Sequence, residues 1–322
     1  MSTATGDLTT TPTIETATDG DIVAAAHVYQ AAAEALSDQM RARNPWVNSS
    51  AREEDLKQAI RVLSTLRASD GRSVIVARLG DGVVGMAAVQ IQEPHAHIAF
   101  FFVHPDAQNQ GVGRRLLDRI REIIDEAGAT AITLASSRDP KAWQRYLRFG
   151  LYPGPPLLPF RAAKPAFPTG PPATQGITVR PMLPSDMTAV AALDRAVRGA
   201  DRRDRFAEWL AEGSEAMVAL DDEGALLGYA MVSMLENNGQ VGPVASTSHA
   251  HFPFLFELAL FMAGALPKSR DRPWRVDLSA RNHLAIGPLL DAGFSAENIV
   301  NWFESGPVGQ WDRYVFRDED EL

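Results

Sequence analysis

Residues 97–103 (HIAFFFV) form an unbroken apolar and aromatic run, the pattern of a buried strand. His104, Pro105 and Asp106 end it. From Val112 the period changes. Val112, Leu116, Leu117, Ile120, Ile123, Ile124 and Ala127 recur at helical spacing, while Arg114, Arg115, Asp118, Arg119, Arg121 and Glu122 take the intervening positions. This predicts an amphipathic helix closed by Gly128 as its C-terminal cap. Between strand and helix stand Gln108, Asn109, Gln110, Gly111, Val112 and Gly113.

A strand that runs through a loop of glycines and amides straight into a helix is suited to hold a phosphate. The first helical turn has unpaired N–H donors and a positive dipole end, and glycines let an oxygen approach the backbone. The alternative is an ordinary surface loop. Two other phosphate motifs do not fit: a P-loop needs Lys-Ser/Thr where Arg114-Arg115 stands, and a dinucleotide fingerprint needs glycine at position 116, which is Leu116.

Gln108-x-x-Gly111-x-Gly113 after a Val-His-Pro strand end resembles the acetyl-coenzyme A loop of the GCN5-related N-acetyltransferases (GNAT superfamily). A second element, Asp139-x-x-Ala142-x-x-x-Tyr146-x-x-x-Gly150-Leu151, is similar to that family's Asn-x-x-Ala-x-x-x-Tyr-x-x-x-Gly-Phe, with Asp139 and Leu151 as departures. A third is the hairpin Asp81–Ala87, similar to the strand that precedes the cofactor strand.

The signals recur downstream. Residues 223–230 echo the hairpin, and Asn282-x-x-Ala285-x-x-x-Leu289-x-x-x-Gly293-Phe294 echoes the tyrosine element. Gly85 and Gly150 are 65 positions apart, as are Gly228 and Gly293, and Thr13-Ile14-Glu15 with Asp21 matches Thr178-Val179-Arg180 with Asp186. Such spacing points to two copies of one fold, and 322 residues suit two domains of about 150. Eight prolines between Pro153 and Pro172 mark extended or linker chain whose first part could form an edge strand of the first domain. The expected organisation is an acetyltransferase domain over 12–165, a linker over 166–175 and a second domain over 176–322. The resemblance implies an α/β (α+β mixed-sheet) class, each domain a twisted mixed β-sheet flanked by helices.

The copies differ where chemistry would lie. After residues 240–245, the second copy's strand, come Ser246-Thr247-Ser248-His249-Ala250-His251-Phe252-Pro253, with no glycine pair, and Leu289 replaces the tyrosine. The second copy is therefore expected to be degenerate, binding no cofactor and shaping the acceptor pocket of the first.

A net charge of −9 does not advertise nucleic-acid binding, and the absence of cysteine excludes disulfides, thiolate metal sites and a cysteine nucleophile. Asp318–Glu321 reads as a solvated acidic tail, and Met1–Thr13 as a disordered lead-in without signal-peptide character. The apolar run Phe252–Leu266 contains Glu257 and is too short for a bilayer, so it reads as a buried helix. A cytoplasmic protein with no membrane or nucleic-acid partner is expected; its oligomeric state is not legible.

The resemblance implies acetyl-coenzyme A as cofactor and the amine of a small molecule or exposed amine as acceptor. It also implies roles. The backbone of Phe101, Phe102 and Val103 would hold the pantetheine arm and thioester carbonyl. Gln108, Asn109, Gln110, Gly111, Val112, Gly113 and Arg114 would hold the diphosphate, with Asp139 and Ala142 in the cofactor-side helix element. Tyr146 would be the general acid, a ring packed in the core being the alternative. Members with a base on the cofactor strand carry glutamate 14 residues before the first loop glycine, which here is His97; it could take a proton directly or through water. A hydrogen-bonded strand histidine, with water as the base, is the other reading. His95 with His97, and His249 with His251, could each pair on a metal, but without thiols or a carboxylate pattern no metal is expected.

The acceptor would bind beside Tyr29–Leu66, a region 22 residues longer than its counterpart, since Asp21 and Asp186 are 165 apart but Gly85 and Gly228 only 143. Arg41, Arg43, Trp46 and Asn48 could line it; a plain helix–helix loop is the simpler reading. Arg198–Arg205 reads as a solvated loop or helix start. A competing function is a non-catalytic acyl-coenzyme A-binding sensor or scaffold, which has no need of an acid at Tyr146.

Overall fold

The architecture comes from a computed structural model that describes residues 11–43, 53–137, 139–174, 176–235, 237–267 and 269–317. Two mixed α/β domains emerge, each a mixed sheet flanked by helices. In chain order the first copy of the repeat runs β1 (Thr13–Thr16), α1 (Ile22–Arg43), α2 (Glu53–Ser69), β2 (Val74–Leu79), β3 (Gly82–Gln92), β4 (His95–Val103), α3 (Val112–Glu126), β5 (Ala131–Ser136), α4 (Pro140–Phe149), β6 (Tyr152–Pro153) and β7 (Leu157–Ala162). The second repeats that order with β8 (Thr178–Pro181), α5 (Met187–Arg198), α6 (Arg203–Ala211), β9 (Glu215–Leu220), β10 (Leu226–Met234), β11 (Gly239–Ser246), α7 (Phe252–Ala265), β12 (Trp274–Ser279), α8 (His283–Asp291), β13 (Ser295–Ala296) and β14 (Asn301–Glu304), then adds β15 (Tyr314–Val315). The matched spacings thus reflect a duplicated βααβββαβαββ unit.

By internal contacts the chain forms two compact units: residues 1–91, 96–132 and 139–149, and residues 92–95, 133–138 and 150–322. In the first the strand order is β1-β2-β3-β4. The hairpin expected at Asp81–Ala87 is the β2–β3 pair, with Leu79 opposite Gly82 and Ala77 opposite Gly85. Gly85 is required by packing, since an added Cβ would lie 2.9 Å from Val112 and 3.1 Å from Leu116 of α3. The apolar stripe of α3 is buried as its spacing predicts, through Val112, Leu116, Leu117, Ile120, Ile123 and Ile124; each such side chain contributes about 1.5–3 kcal/mol. Gly128 follows the helix at φ 67°, its N–H returning to the Asp125 carbonyl at 3.1 Å.

The second unit holds the order β13-β7-β12-β11-β10-β9-β8, with β15 on β11, and separately the run β5-β14-β6. Here one expectation is corrected. The proline-rich segment does begin with a strand, β7, but it pairs with β12, Trp274 opposite Ala162 and Ser279 opposite Leu157. Its counterpart β14 pairs with β5, Asn301 opposite Ser136 and Glu304 opposite Thr133. The last strands of the two copies have changed places. Further along, Phe167 stacks edge-on against Trp274 at 5.0 Å, and the Ala166 N–H donates to the Ala292 carbonyl at 2.8 Å.

The Phe252–Leu266 run forms α7, buried along most of its length with Glu257 exposed. Among the described residues no helix is long and apolar enough to cross a membrane. The lead-in before Thr11, Pro45 with Trp46 and Asn48, the side chains of Arg41 and Arg43, and the acidic tail lie outside the described residues.

Candidate functional site

Every expected site residue lies in the first unit. The strand β4 begins at His95, two residues earlier than its apolar run indicates, and ends at Val103. The His104 N–H pairs with the Val84 carbonyl at 2.8 Å, and its Nδ1 accepts from the Asp106 N–H at 3.4 Å, so this histidine shapes the turn. Gln108 and Gln110 brace the loop: their Nε2 atoms donate to the carbonyls of Val103 at 3.3 Å and Asp106 at 2.9 Å.

Residues 108–111 are exposed. Asn109 (φ 65°) and Gly111 (φ 81°) adopt left-handed backbone. Asn109 is the one non-glycine residue with positive φ among the described residues, a conformation asparagine tolerates through its short polar side chain. Arg115 donates its N–H to the Gly111 carbonyl at 3.2 Å; among the described residues none of the amides of residues 109–114 donates a backbone hydrogen bond of ordinary geometry. A Cβ on Gly111 would meet nothing within 4 Å. The loop is therefore an open cradle of N–H donors at a helix N-terminus, the donor set a diphosphate requires.

Strand alternation puts His97, Phe101 and Val103 on one face of β4 and Phe100 with Phe102 on the other. Phe100 and Phe102 pack edge-on against Tyr29 of α1, centroids 5.6 and 4.9 Å away. Phe101 meets Tyr146 of α4 edge-on at 6.1 Å. A Cβ on Gly113 would lie 3.4 Å from Phe101, 3.7 Å from Val103 and 3.8 Å from Arg145 Nε. Loop, strand and α4 therefore converge at Gly113. Tyr146 is buried, 6% exposed, and its ring sits against Phe101 of β4. His97 is also buried, four residues and about 13 Å along the strand from Phe101. Its neighbour on that face, His95, bonds Thr133 Oγ1 through Nε2 at 2.7 Å.

Asp139 caps α4: its Oδ1 accepts the Lys141 N–H at 3.0 Å and its carbonyl the Trp143 N–H at 3.1 Å. Ala142 is half-buried in the first turn. The helix is clasped to α3 by Arg121, whose guanidinium stacks 3.9 Å above the Phe149 ring and donates to the Phe149 carbonyl. Arg145 was missed from sequence. Ala142, Arg145, Tyr146 and Phe149 share one face by helical spacing, which is the signal that could have found it.

In the second copy the corresponding loop is filled by its own side chains. Thr247 donates both its N–H (2.8 Å) and its hydroxyl (3.0 Å) to the Leu227 carbonyl, and His251 Nδ1 lies 3.1 Å from Ser248 Oγ. His249 Nε2 pairs with Asp312 at 2.8 Å. Leu289 is fully buried, and Asn282 donates to the Tyr314 carbonyl at 2.9 Å. Among the described residues no group of three or more metal-ligating side chains occurs.

The Arg198–Arg205 run departs from its expected solvation. Arg198 and Arg202 are buried, because Asp194, one turn earlier on α5, and Tyr229 and Tyr314 from the sheet surround them. Arg203 and Asp204 remain exposed.

Comparison with known proteins agrees with this architecture. Residues 29–151 match the acetyltransferase (GNAT) family, and residues 190–298 match an acetyltransferase (GNAT) domain family. The chain carries two GNAT-like domains. Among curated proteins none matches the sequence significantly. Among solved structures, a protein provisionally described as an acetyltransferase from Pyrococcus horikoshii is similar at 17% identity and TM-score 0.67, over 96% of this chain and 95% of that one. A GCN5-related N-acetyltransferase from Sphaerobacter thermophilus is similar at 15% identity and TM-score 0.59, over 92% and 96%. A tandem GNAT protein from the clavulanic acid biosynthesis pathway is similar at 18% identity and TM-score 0.54, over 92% and 99%. Fold and distant similarity point to the GNAT acetyltransferase superfamily in general.

Proposed function

We propose that the chain is an acetyl-coenzyme A-dependent N-acetyltransferase whose first copy moves an acetyl group to the amine of a small molecule or an exposed amine. The observation that carries this reading is the exposed glycine-containing loop at residues 108–111 opening α3, whose following amides donate no backbone hydrogen bond of ordinary geometry, set against the β4 face that carries Phe101 and Val103. Those amides suit a diphosphate. Arg114, exposed in the first turn of α3, adds positive charge beside it, and the half-buried Arg145 does the same from α4. When bound, acetyl-coenzyme A supplies an acyl carbonyl activated as a thioester.

The chain's own residues supply position and protons. The backbone of Phe101, Phe102 and Val103 orients the acyl arm, and the packed Phe101 and Tyr146 rings keep water from that side. Tyr146 Oη serves as the proton donor for the leaving sulfur. His97, buried upstream on the same strand face, serves as proton acceptor for the amine, through water where the span demands it. The second copy binds no cofactor in this reading, supported by its internally bonded loop and by Leu289 at the tyrosine position. The test is release of free thiol from acetyl-coenzyme A with a panel of amines. Amine-dependent release supports the enzyme; tight binding of coenzyme A with no turnover on any amine would replace it with a sensor or scaffold.

A further inference from the structure

The second copy encloses two arginines. Arg202, 3% exposed, is paired: its Nε and Nη2 bond the Asp194 carboxylate at 3.0 and 2.8 Å, and Nη2 also donates to Tyr314 Oη. Tyr229 Oη donates to the same carboxylate at 2.5 Å. The single negative charge of Asp194 is thereby matched. Arg198, four residues further along α5 and 0% exposed, has no such match: Nε, Nη1 and Nη2 are each buried without a hydrogen-bond partner. The indole Nε1 atoms of Trp209 and Trp311 are also buried and unpartnered. Both rings border the cluster, Trp209 5.1 Å from the Arg202 guanidinium carbon and Trp311 5.8 Å from the Tyr314 ring.

The charge inventory is unbalanced. Burial, then the like charge of Arg202, pulls the Arg198 guanidinium down to about 10, so it stays cationic at neutral pH. Burial, then Asp194, pushes the Tyr229 hydroxyl up; burial also raises Tyr314, and both phenols stay neutral. Arg198, Arg202 and Asp194 therefore make two cations and one anion; at the edge, Arg317 over the Trp209 ring is bonded to Ser214 and Ser233 and faces Glu212, and Asp312 pairs with His249 through one oxygen while its other oxygen is buried without a partner. An isolated buried charge is strongly unfavourable unless compensated. Water could accept the N–H bonds but would leave the charge; a metal ion would be repelled. The missing partner is acceptor-only, negative and small.

We propose that the second copy binds a small monovalent anion, a halide, nitrate or short carboxylate, against the Arg198 guanidinium, between α5, the Tyr229 strand and the turn at Trp311–Arg313. The site is independent of the coenzyme A reading.

The experiment is thermal unfolding of the full chain at constant ionic strength, exchanging a bulky sulfonate for chloride, nitrate or acetate in separate titrations. The expected result is a saturable rise in Tm, about 3–5 °C at ten times Kd, that is absent from Arg198→Met. Stronger response to chloride and nitrate identifies an inorganic occupant; stronger response to acetate identifies a carboxylate. No anion-specific rise, or the same rise in Arg198→Met, overturns the proposal. Should that variant fail to fold, crystals grown in bromide decide: an anomalous peak within hydrogen-bonding reach of Arg198 supports the site, and its absence at saturating bromide removes it.

Discussion

Replacing Gly111 by aspartate and, separately, by asparagine isolates the electrostatic part of the cofactor loop. The two side chains are nearly isosteric, and both tolerate the left-handed backbone at φ 81°. An added Cβ there meets nothing within 4 Å, so each variant should fold with a loss of about 1 kcal/mol or less. They differ in one charge, placed at the mouth of the amide cradle. At about 5 Å from a bound phosphate, Coulomb's law gives about 1 kcal/mol per charge pair in bulk-like solvent and about 3 at an effective dielectric of 20. With two diphosphate charges and partial screening, Gly111→Asp should lose about 2–4 kcal/mol of coenzyme A affinity, roughly 30- to 1,000-fold, while Gly111→Asn stays within a few-fold of wild type. Calorimetric titration with coenzyme A at low and high salt measures both, and the gap between variants should narrow as salt screens it. Equal affinity of the aspartate and asparagine proteins would refute a diphosphate at these amides.

Tyr146→Phe keeps the ring contact with Phe101 and should lower kcat about 100-fold or more with coenzyme A affinity unchanged; undiminished thiol release would take the hydroxyl out of the reaction. The two copies should lose stability together in acid. The Thr18 amide and hydroxyl, then Arg78, hold the Asp21 carboxyl below its ordinary range, and Arg180 does so for Asp186, aided by the Leu183 amide. Depressed carboxylates stabilise above about pH 4, their unfolded value, and this is lost as pH falls through the folded values. Asp21→Asn should thus cost about 1 kcal/mol at pH 7 and nothing once the wild-type carboxyl is protonated; a pH-independent difference in urea unfolding would contradict this. Asp194→Ala leaves Arg202 buried beside Arg198 without its carboxylate partner and, in a buffer free of small anions, should destabilise by about 3–5 kcal/mol; a loss below about 1 kcal/mol would mean that water reaches the cluster.

Much of the first unit was legible because its signals are local. The 3.6-residue stripe of α3, the glycine after its last turn and the apolar run of β4 each state their structure within fifteen residues. The duplication was legible from spacing alone, and the element order bears it out. What escaped depends on distant partners. Nothing within residues 157–162 says that they pair with β12, since strand partners are chosen by the sheet edge on offer. Arg198 and Arg202 sit in a charge-dense run that carries no apolar period, and their burial follows from an aspartate one turn back and tyrosines about thirty and over a hundred residues away. Arg145 shows in the sequence only as a member of the Ala142–Phe149 helix face, and its closeness to Gly113 depends on how α4 packs.

The traded last strands have a consequence for synthesis. Phe303 closes onto Leu134, and Val276 onto Phe160. A nascent polypeptide that has just left the ribosome as far as the proline-rich stretch carries β5 with an open flank. At ordinary elongation speeds roughly 8–30 s pass before β14 emerges to cover it. During that wait the exposed backbone invites pairing with neighbouring molecules, and severing the chain between its halves would make the exposure permanent.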